Sequence, residues 1–165
     1  IVVSGVRIRA CHCGNFGCLE TLVANKAIVS QTKALLERGH NSRLDKDNLS
    51  IDIICKAALE DDPIATQIIR QTGNHLGRVL AIMVNLFNPE KILLAGEIVQ
   101  SAPVLFPALL QQIQRQSLPN FNRELQLEKA HFQGQGTMGG YALIKRALHA
   151  NDLLQQIMQQ IDDKQ

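Results

Sequence analysis

The chain has 165 residues, 45% of them hydrophobic, which is enough for one substantial core and too little for two ordinary domains. A peptide or a disulfide-stapled miniprotein is thereby excluded. Seventeen Lys and Arg stand against fifteen Asp and Glu, a net charge of +2, too balanced for a nucleic-acid-coating surface or an acidic-substrate trap. Aromatic residues are 4% and Trp is absent, so stacking on single-stranded bases has little material and the core must be Leu, Ile, Val and Ala.

Residues 1 to 9 alternate weakly, Ile1-Val2-Val3 and then Val6-Arg7-Ile8-Arg9 around Gly5, as in a strand or short hairpin. This start lacks the charged opening and long apolar stretch of a secretory signal, and no apolar run is long enough to span a bilayer, so a cytoplasmic location is expected. From Leu19, apolar residues at Leu22, Val23, Ala27, Ile28, Leu35 and Leu36 keep helical spacing to Arg38, where Gly39 supplies a stop. Residues 40–48 read as a polar loop. Ser50 caps a short helix carrying Ile53, Ile54, Ala57, Ala58 and Leu59, and Asp62-Pro63 is the cap and first turn of a long one.

That long helix is expected from Pro63 to Phe87, ended by Asn88-Pro89 because proline disfavours a helical residue before it. Gly73 and Gly77 lie four apart on one face, and each costs about 1 kcal/mol against alanine in a helix. The pair therefore predicts a neighbouring backbone packed very close. Val79 to Phe87 is nearly all apolar and reads as a central buried helix. Lys91 to Ala95 reads as a buried strand ending in a tight turn at Gly96, followed by a helix over about 103–116 with a candidate kink at Pro107. Leu125, Leu127, Lys129 and His131 share a strand face, a glycine turn follows over 134–137, and residues 138–148 return to helical spacing. This is an α/β order.

The tail over 152–162 aligns Leu153, Leu154, Ile157, Met158 and Ile161 along one stripe opposite glutamines. Such an amphipathic helix suits docking on its own domain first and a dimer or protein-partner contact second. Membrane binding is poorly supported by a polar face of Gln. Among isolated residues, Cys55 reads as a small core residue, while His75 and Arg78 read as surface.

The informative segment is Cys11-His12-Cys13-Gly14-Asn15-Phe16-Gly17-Cys18. Thiolates two and five positions apart converge on one ion when the intervening glycines let the backbone fold beneath it, and three soft sulfur ligands favour zinc. A closed structural site needs a fourth ligand from elsewhere. His12 is nearest, but wedged between two ligands its ring is expected to point away. Three reduced cysteines without metal are the plain alternative; a redox dithiol is weaker still, since no Cys-x-x-Cys occurs.

Cys11-x-Cys13-Gly14-x-x-Gly17-Cys18-x-Glu20 resembles the zinc signature of the ROK family, bacterial repressors and sugar kinases built on the actin-like, ribonuclease-H-like ATPase fold. Downstream, the run from Asn85 through Asn88-Pro89 to Ile92 is similar to the family's helix-to-strand passage. The run from Gly136 to Leu143 is similar to its late glycine-rich helix start. The resemblance covers residues 11–150 and implies an α/β fold, the helix-rich C-terminal lobe of that architecture with a zinc-braced loop, as a single domain over 1–165. It implies that Cys11, Cys13 and Cys18 are zinc ligands and that Glu20 hydrogen-bonds a sugar hydroxyl.

The departures carry meaning too. The family's Glu-x-Gly-His segment, whose histidine completes the zinc site and touches the sugar, has no counterpart in Ser4 to Ala10, as though a loop were missing between Ala10 and Cys11 and residues 1–10 were a strand remnant. The phosphate loop and catalytic aspartate of the family's kinases have no counterpart, so this chain alone is expected not to phosphorylate anything. At Ala95-Gly96-Glu97 the kinases carry glycines where backbone approaches nucleotide phosphate; Glu97 places a negative charge there, which repels ATP.

The resemblance therefore implies the sugar- or sugar-phosphate-sensing and oligomerisation domain of a transcriptional repressor of amino-sugar or glucose utilisation. Such a protein is a homodimer or homotetramer that meets operator DNA through an upstream domain. On this reading no enzymatic activity is expected. The alternative is the second lobe of a ROK-type ATP-dependent hexose or N-acetylhexosamine kinase, and a third reading is an interaction module for a protein partner.

Overall fold

The structure is a computed structural model, and it describes Val2, residues 10–130 and residues 136–149. The chain divides into two compact units, residues 1–130 and 131–165. In the first, α1 spans Glu20–Val23, α2 Asn25–Glu37, α3 Ile51–Leu59 and α4 Pro63–Phe87. Strand β1 (Lys91–Leu94) leads through a 3-10 turn, Glu97–Ser101, into α5 (Ala102–Gln116), and then come α6 (Pro119–Asn122) and β2 (Gln126–Lys129). The second unit holds α7, Gly136–His149, so Gly136 and Thr137 belong to the helix. The expected tail helix over 152–162, His131 and most of the 1–10 strand lie outside the described residues.

The long helix has the bounds its sequence predicts. Asp62 is 1% exposed, and one carboxylate oxygen accepts the Ile64 and Ala65 N–H groups at 3.1 and 3.0 Å. The other accepts from Ser42 Oγ at 2.9 Å and Arg43 N at 2.8 Å, which ties the 40–48 loop to the helix start. Ser50 Oγ caps α3 by accepting from Ile53 N at 3.3 Å. Asn88 closes α4 in the left-handed region, φ 44°.

The glycine pair is filled by α5. A Cβ on Gly73 would sit 2.9 Å from the Leu105 carbonyl oxygen, and one on Gly77 only 2.6 Å from that of Leu109. The backbone of α5 meets α4 at both glycines, with the Cβ atoms of Ala108 and Gln112 beside it, so the two helices pack closely. Around them Ile28, Ile54, Cys55, Ala65, Ile69 and Leu105 form one buried cluster, and Val84, Leu109 and Ile113 a second one. Leu94, Leu125 and Leu127 pack on the second. Strands β1 and β2 are parallel, Lys91 opposite Gln126 through Leu94 opposite Lys129, a strand–helix–strand crossover with α5 between.

Three expectations change. The single helix expected from Leu19 to Arg38 breaks at Ala24, which is extended at φ −65°, ψ 149°. Gln31 Nε2 reaches back to hold the Leu22 carbonyl at 3.1 Å across that break. Val79 to Phe87 is buried on one face only: Val84 is fully buried, but Leu86 and Phe87 are 70% and 72% exposed. β1 is likewise half-buried, with Leu93 exposed. Among the described residues α5 and the strands cover one side of these segments, and apolar composition alone does not say which side has a partner.

Candidate metal and sugar site

The cysteine segment is a tight loop. Ala10 and Phe16 pair as an antiparallel bridge, Cys11 N donates to Asn15 O at 2.8 Å and Gly14 N to Cys11 O at 3.0 Å. Gly14 and Gly17 take φ of 84° and 70°, angles that L side chains rarely adopt, and these two residues turn the chain back beneath the sulfurs. The Cys18 carbonyl then starts α1, accepting from both the N–H of Thr21 at 3.0 Å and its hydroxyl at 2.7 Å. Glu20 lies in that first turn, so its position follows directly from that of Cys18.

Cys11, Cys13 and Cys18 bring their sulfurs within 4.8 Å of one another, and the Cys13 and Cys18 sulfurs are 3.6 Å apart. Tetrahedral zinc with Zn–S bonds near 2.3 Å puts its sulfurs about 3.8 Å apart, so the donor set fits three corners of such a site. Hydrogen bonding from the Asn15 backbone, then from Cys11 and Cys18, holds the Cys13 thiol down at about 7. Its hydrogen bond to Cys13 and its own desolvation push Cys18 up to about 11. Cys13 and Cys18 thus hold their protons unequally, and a bound cation would take the place of those protons.

His12 does not point away as expected. Its Nδ1 lies 3.8 Å from the Cys11 sulfur and 3.4 Å from a Glu20 carboxylate oxygen, and Cys11, His12 and Glu20 form a second group of close donors. The His12–Glu20 contact is open to solvent on both sides, and exposed pairs of this kind contribute little to stability. Its value is directional: it sets the carboxylate at the rim of a hollow of about 360 Å³ lined by Ala10, Cys11, His12, Glu20, Thr21, Lys26 and their neighbours.

The residues after the Ala24 break join this site, and sequence spacing did not foretell them. Asn25 Nδ2 donates to a Glu97 carboxylate oxygen just past β1. Helix α2 has no side-chain cap and no acid in its first turn, so Glu97 supplies from outside the negative charge that a helix N-terminus favours. The tie places the hollow near the carboxyl end of a parallel strand, where open α/β sheets hold ligands. A larger hollow of about 930 Å³, lined by Asn88 to Lys91 and Asn120 to Gln126, lies at the opposite ends of these strands. Cys55 is fully buried, as expected, with its thiol raised by burial. His75 is half-buried and its pKa is lowered, first by burial and then by Arg78.

The sequence pattern of the ROK family matches residues 4–147. The chain belongs to the ROK family. The DNA-binding transcriptional dual regulator NagC of Escherichia coli strain K12 is 44% identical to this ROK chain over 149 residues, 90% of the chain and 37% of NagC. The DNA-binding transcriptional repressor Mlc of the same strain is 41% identical over 92% of the chain and 37% of Mlc. A crystal structure of a ROK family transcriptional regulator, a homologue of E. coli Mlc, superposes with a TM-score of 0.84 at 44% identity, covering 91% of this chain and 39% of that one. A glucokinase of Halalkalibacterium halodurans is 28% identical over 82% of the chain and 43% of its own length.

The chain thus spans little more than a third of the length of the regulators it matches. The actin-like, helix-rich α/β architecture implied by the zinc-loop signature is that of the family. No helix among the described residues is long and apolar enough to cross a membrane.

Proposed function

We propose that this chain is the sugar- or sugar-phosphate-sensing and oligomerising C-terminal lobe, residues 1–165, of a repressor that governs use of an amino sugar or of glucose. The observation that carries this reading is the 44% and 41% identity to NagC and Mlc over nine-tenths of the chain, against 28% to a glucokinase. Cys11, Cys13 and Cys18 hold a structural zinc, with the fourth ligand from outside this set. Zinc supplies no chemistry here beyond bracing the loop. Glu20 accepts hydrogen bonds from sugar hydroxyls at the rim of the hollow, and charge-assisted bonds of this kind are among the stronger ones. A winged helix-turn-helix upstream binds operator DNA as part of a cytoplasmic homodimer or homotetramer. The sugar shifts the population toward a form that does not hold both half-sites. A further protein partner would meet the C-terminal stripe over 152–162.

The kinase reading asks nucleotide phosphate to approach the turn at Gly96. Glu97 follows it with an exposed carboxylate already bonded to Asn25, which supports the non-enzymatic reading. The test uses the full polypeptide that contains this chain, with glucose, N-acetylglucosamine and their 6-phosphates as probes. Operator binding in a gel-shift assay is expected to fall with one of these sugars, and labelled ATP to remain unturned; turnover of ATP and sugar overturns the proposal. For the loop itself, Cys13→Ser is expected to strip zinc, measured by elemental analysis, and to weaken sugar binding about tenfold, about 1.4 kcal/mol. Unchanged zinc content and affinity would contradict both assignments.

A further inference from the structure

The absence of a Cys-x-x-Cys argued against dithiol chemistry, yet the loop reaches the same end by another route. Four residues separate Cys13 from Cys18, and two of them, Gly14 and Gly17, turn the chain with positive φ so that the sulfurs lie 3.6 Å apart. Cys13 is exposed, Cys18 lies beneath it at 5% exposure, and Asn15 Nδ2 stands 3.7 Å from the Cys13 sulfur. A disulfide needs about 2.05 Å between sulfurs, so closure asks for a travel of about 1.5 Å, within reach of side-chain rotation on a glycine-bearing loop. Cys11 also lies within 4.8 Å of both sulfurs, but its sulfur shares a contact with His12 Nδ1 at 3.8 Å, and the 3.6 Å approach is between Cys13 and Cys18. Cys55 is sealed in the helical core with its sulfur 4.0 and 3.9 Å from the Glu97 and Ile98 carbonyls.

We propose that Cys13 and Cys18 form a reversible disulfide on reaction with a hydroperoxide, and that this bond is an oxidative switch which breaks up the three-sulfur set and displaces Glu20. The Cys13 sulfur attacks one peroxide oxygen, the O–O bond breaks, and with hydrogen peroxide one water leaves, giving a sulfenic acid on Cys13. The Cys18 sulfur then attacks the Cys13 sulfur, the S–O bond breaks, and the second water leaves with the Cys18 proton. Two thiols lose two electrons and one peroxide gains them. When the sulfurs begin as metal-bound thiolates, the products are the disulfide, two hydroxides and the released ion. The new bond takes two of three sulfur ligands from the metal. It also pulls on Cys18, whose carbonyl anchors Thr21 and with it the turn that carries Glu20.

The chemistry rests on the loop geometry alone, and its consequence rests on the zinc and sugar reading above. The experiment treats the zinc-loaded full polypeptide with stoichiometric hydrogen peroxide and maps its peptides by mass spectrometry. Zinc release is followed with a chromophoric chelator, and affinity is measured for whichever of the four sugar probes the untreated protein binds. The expected result is a Cys13–Cys18 cross-linked peptide about 2 Da lighter than its two thiols, zinc release in step with it, and sugar affinity down at least tenfold. Dithiothreitol with added zinc should restore all three. Cys55→Ser is expected to leave the cross-link unchanged.

A sulfinic or sulfonic acid on Cys13 without cross-link, a link from Cys11, or thiols that survive the peroxide would each overturn the proposal. A Cys13–Cys18 link with sugar affinity unmoved overturns the switch. A link with loss of affinity in protein that never held zinc keeps the switch and removes the zinc brace instead.

Discussion

The α4–α5 pair and the cysteine loop are held together in opposite ways. In the helix pair, as elsewhere among the described residues, no buried side-chain nitrogen or oxygen lacks a hydrogen-bond partner. Asp62 takes four hydrogen bonds, Gly73 and Gly77 are filled by the backbone of α5, and Ile69, Leu105 and Leu109 are fully buried. In the loop, the side chains that meet are three thiols, an imidazole and a carboxylate, with Cys13 and Glu20 exposed. Burial stabilises the first region. The second is a donor set assembled by two turned glycines, whose three sulfurs are spaced as a metal ion could use them.

The contrast can be broken at its strongest point first. Gly77→Ala puts a Cβ 2.6 Å from the Leu109 carbonyl oxygen and 2.7 Å from Gln112 Cβ, so the backbones must part. A loss of about 3 kcal/mol is expected by urea denaturation, with zinc content unaffected in the protein that remains folded. Loss of zinc in that fraction would show the two regions are not independent.

Asp62→Ala removes a cap and leaves the N–H groups of Arg43, Ile64 and Ala65 without their acceptor. About 2 kcal/mol should go. The same residue gives a pH signature. Burial raises its pKa, but the hydrogen bonds outweigh burial and hold it below the ordinary 3.8. A carboxylate with a lowered folded pKa stabilises fully above its unfolded value and loses that contribution as pH falls through the folded one. Wild-type stability is therefore expected to drop below about pH 4 more steeply than that of Asp62→Ala; parallel curves would sink the assignment.

On the loop side, Glu20→Gln should leave thermal stability within about 0.5 kcal/mol, since the group is exposed. Sugar affinity by calorimetry should fall about tenfold. The smallest effect separates charge from contact at Glu97. Glu97→Gln keeps an acceptor for Asn25 but no charge for the α2 N-terminus, and a loss of about 0.5 kcal/mol is expected; Glu97→Ala loses both and should exceed it. Equal losses would mean that the hydrogen bond carries nothing.

How much of this was legible before the structure follows the same division. The start of α3 and both ends of α4 were readable because Ser50, Asp62-Pro63 and Asn88-Pro89 act on their own neighbours. The glycine pair was readable because its cost in a helix demands a tertiary reason. The clustering of the three cysteines was readable from their spacing, whereas Glu20 entered only through the family resemblance. The break at Ala24 was not, because alanine carries no local signal for leaving a helix; Lys26 and the Asn25–Glu97 tie were hidden with it. His12 was misjudged because adjacency in sequence says nothing of the turn at Gly14 that brings the ring beside Cys11 and Glu20. The exposed face of α4 at Leu86 and Phe87 was misjudged because hydrophobicity predicts a wish for burial and not its fulfilment.

Helix α4 has one more consequence. Its 25 residues make a rod about 37 Å long, whose first half lies in the cluster with Ile28 and Ile54 and whose second half lies against the strands. Helices α1 and α2, which carry the rim of the hollow, both touch it. The notches at Gly73 and Gly77 key α5 to this rod at two points one turn apart, so neither can slide along the other without lifting off. Along α4 itself no break separates the two clusters, so one continuous helix joins the packing around Ile28 and Ile54 to the packing against the strands.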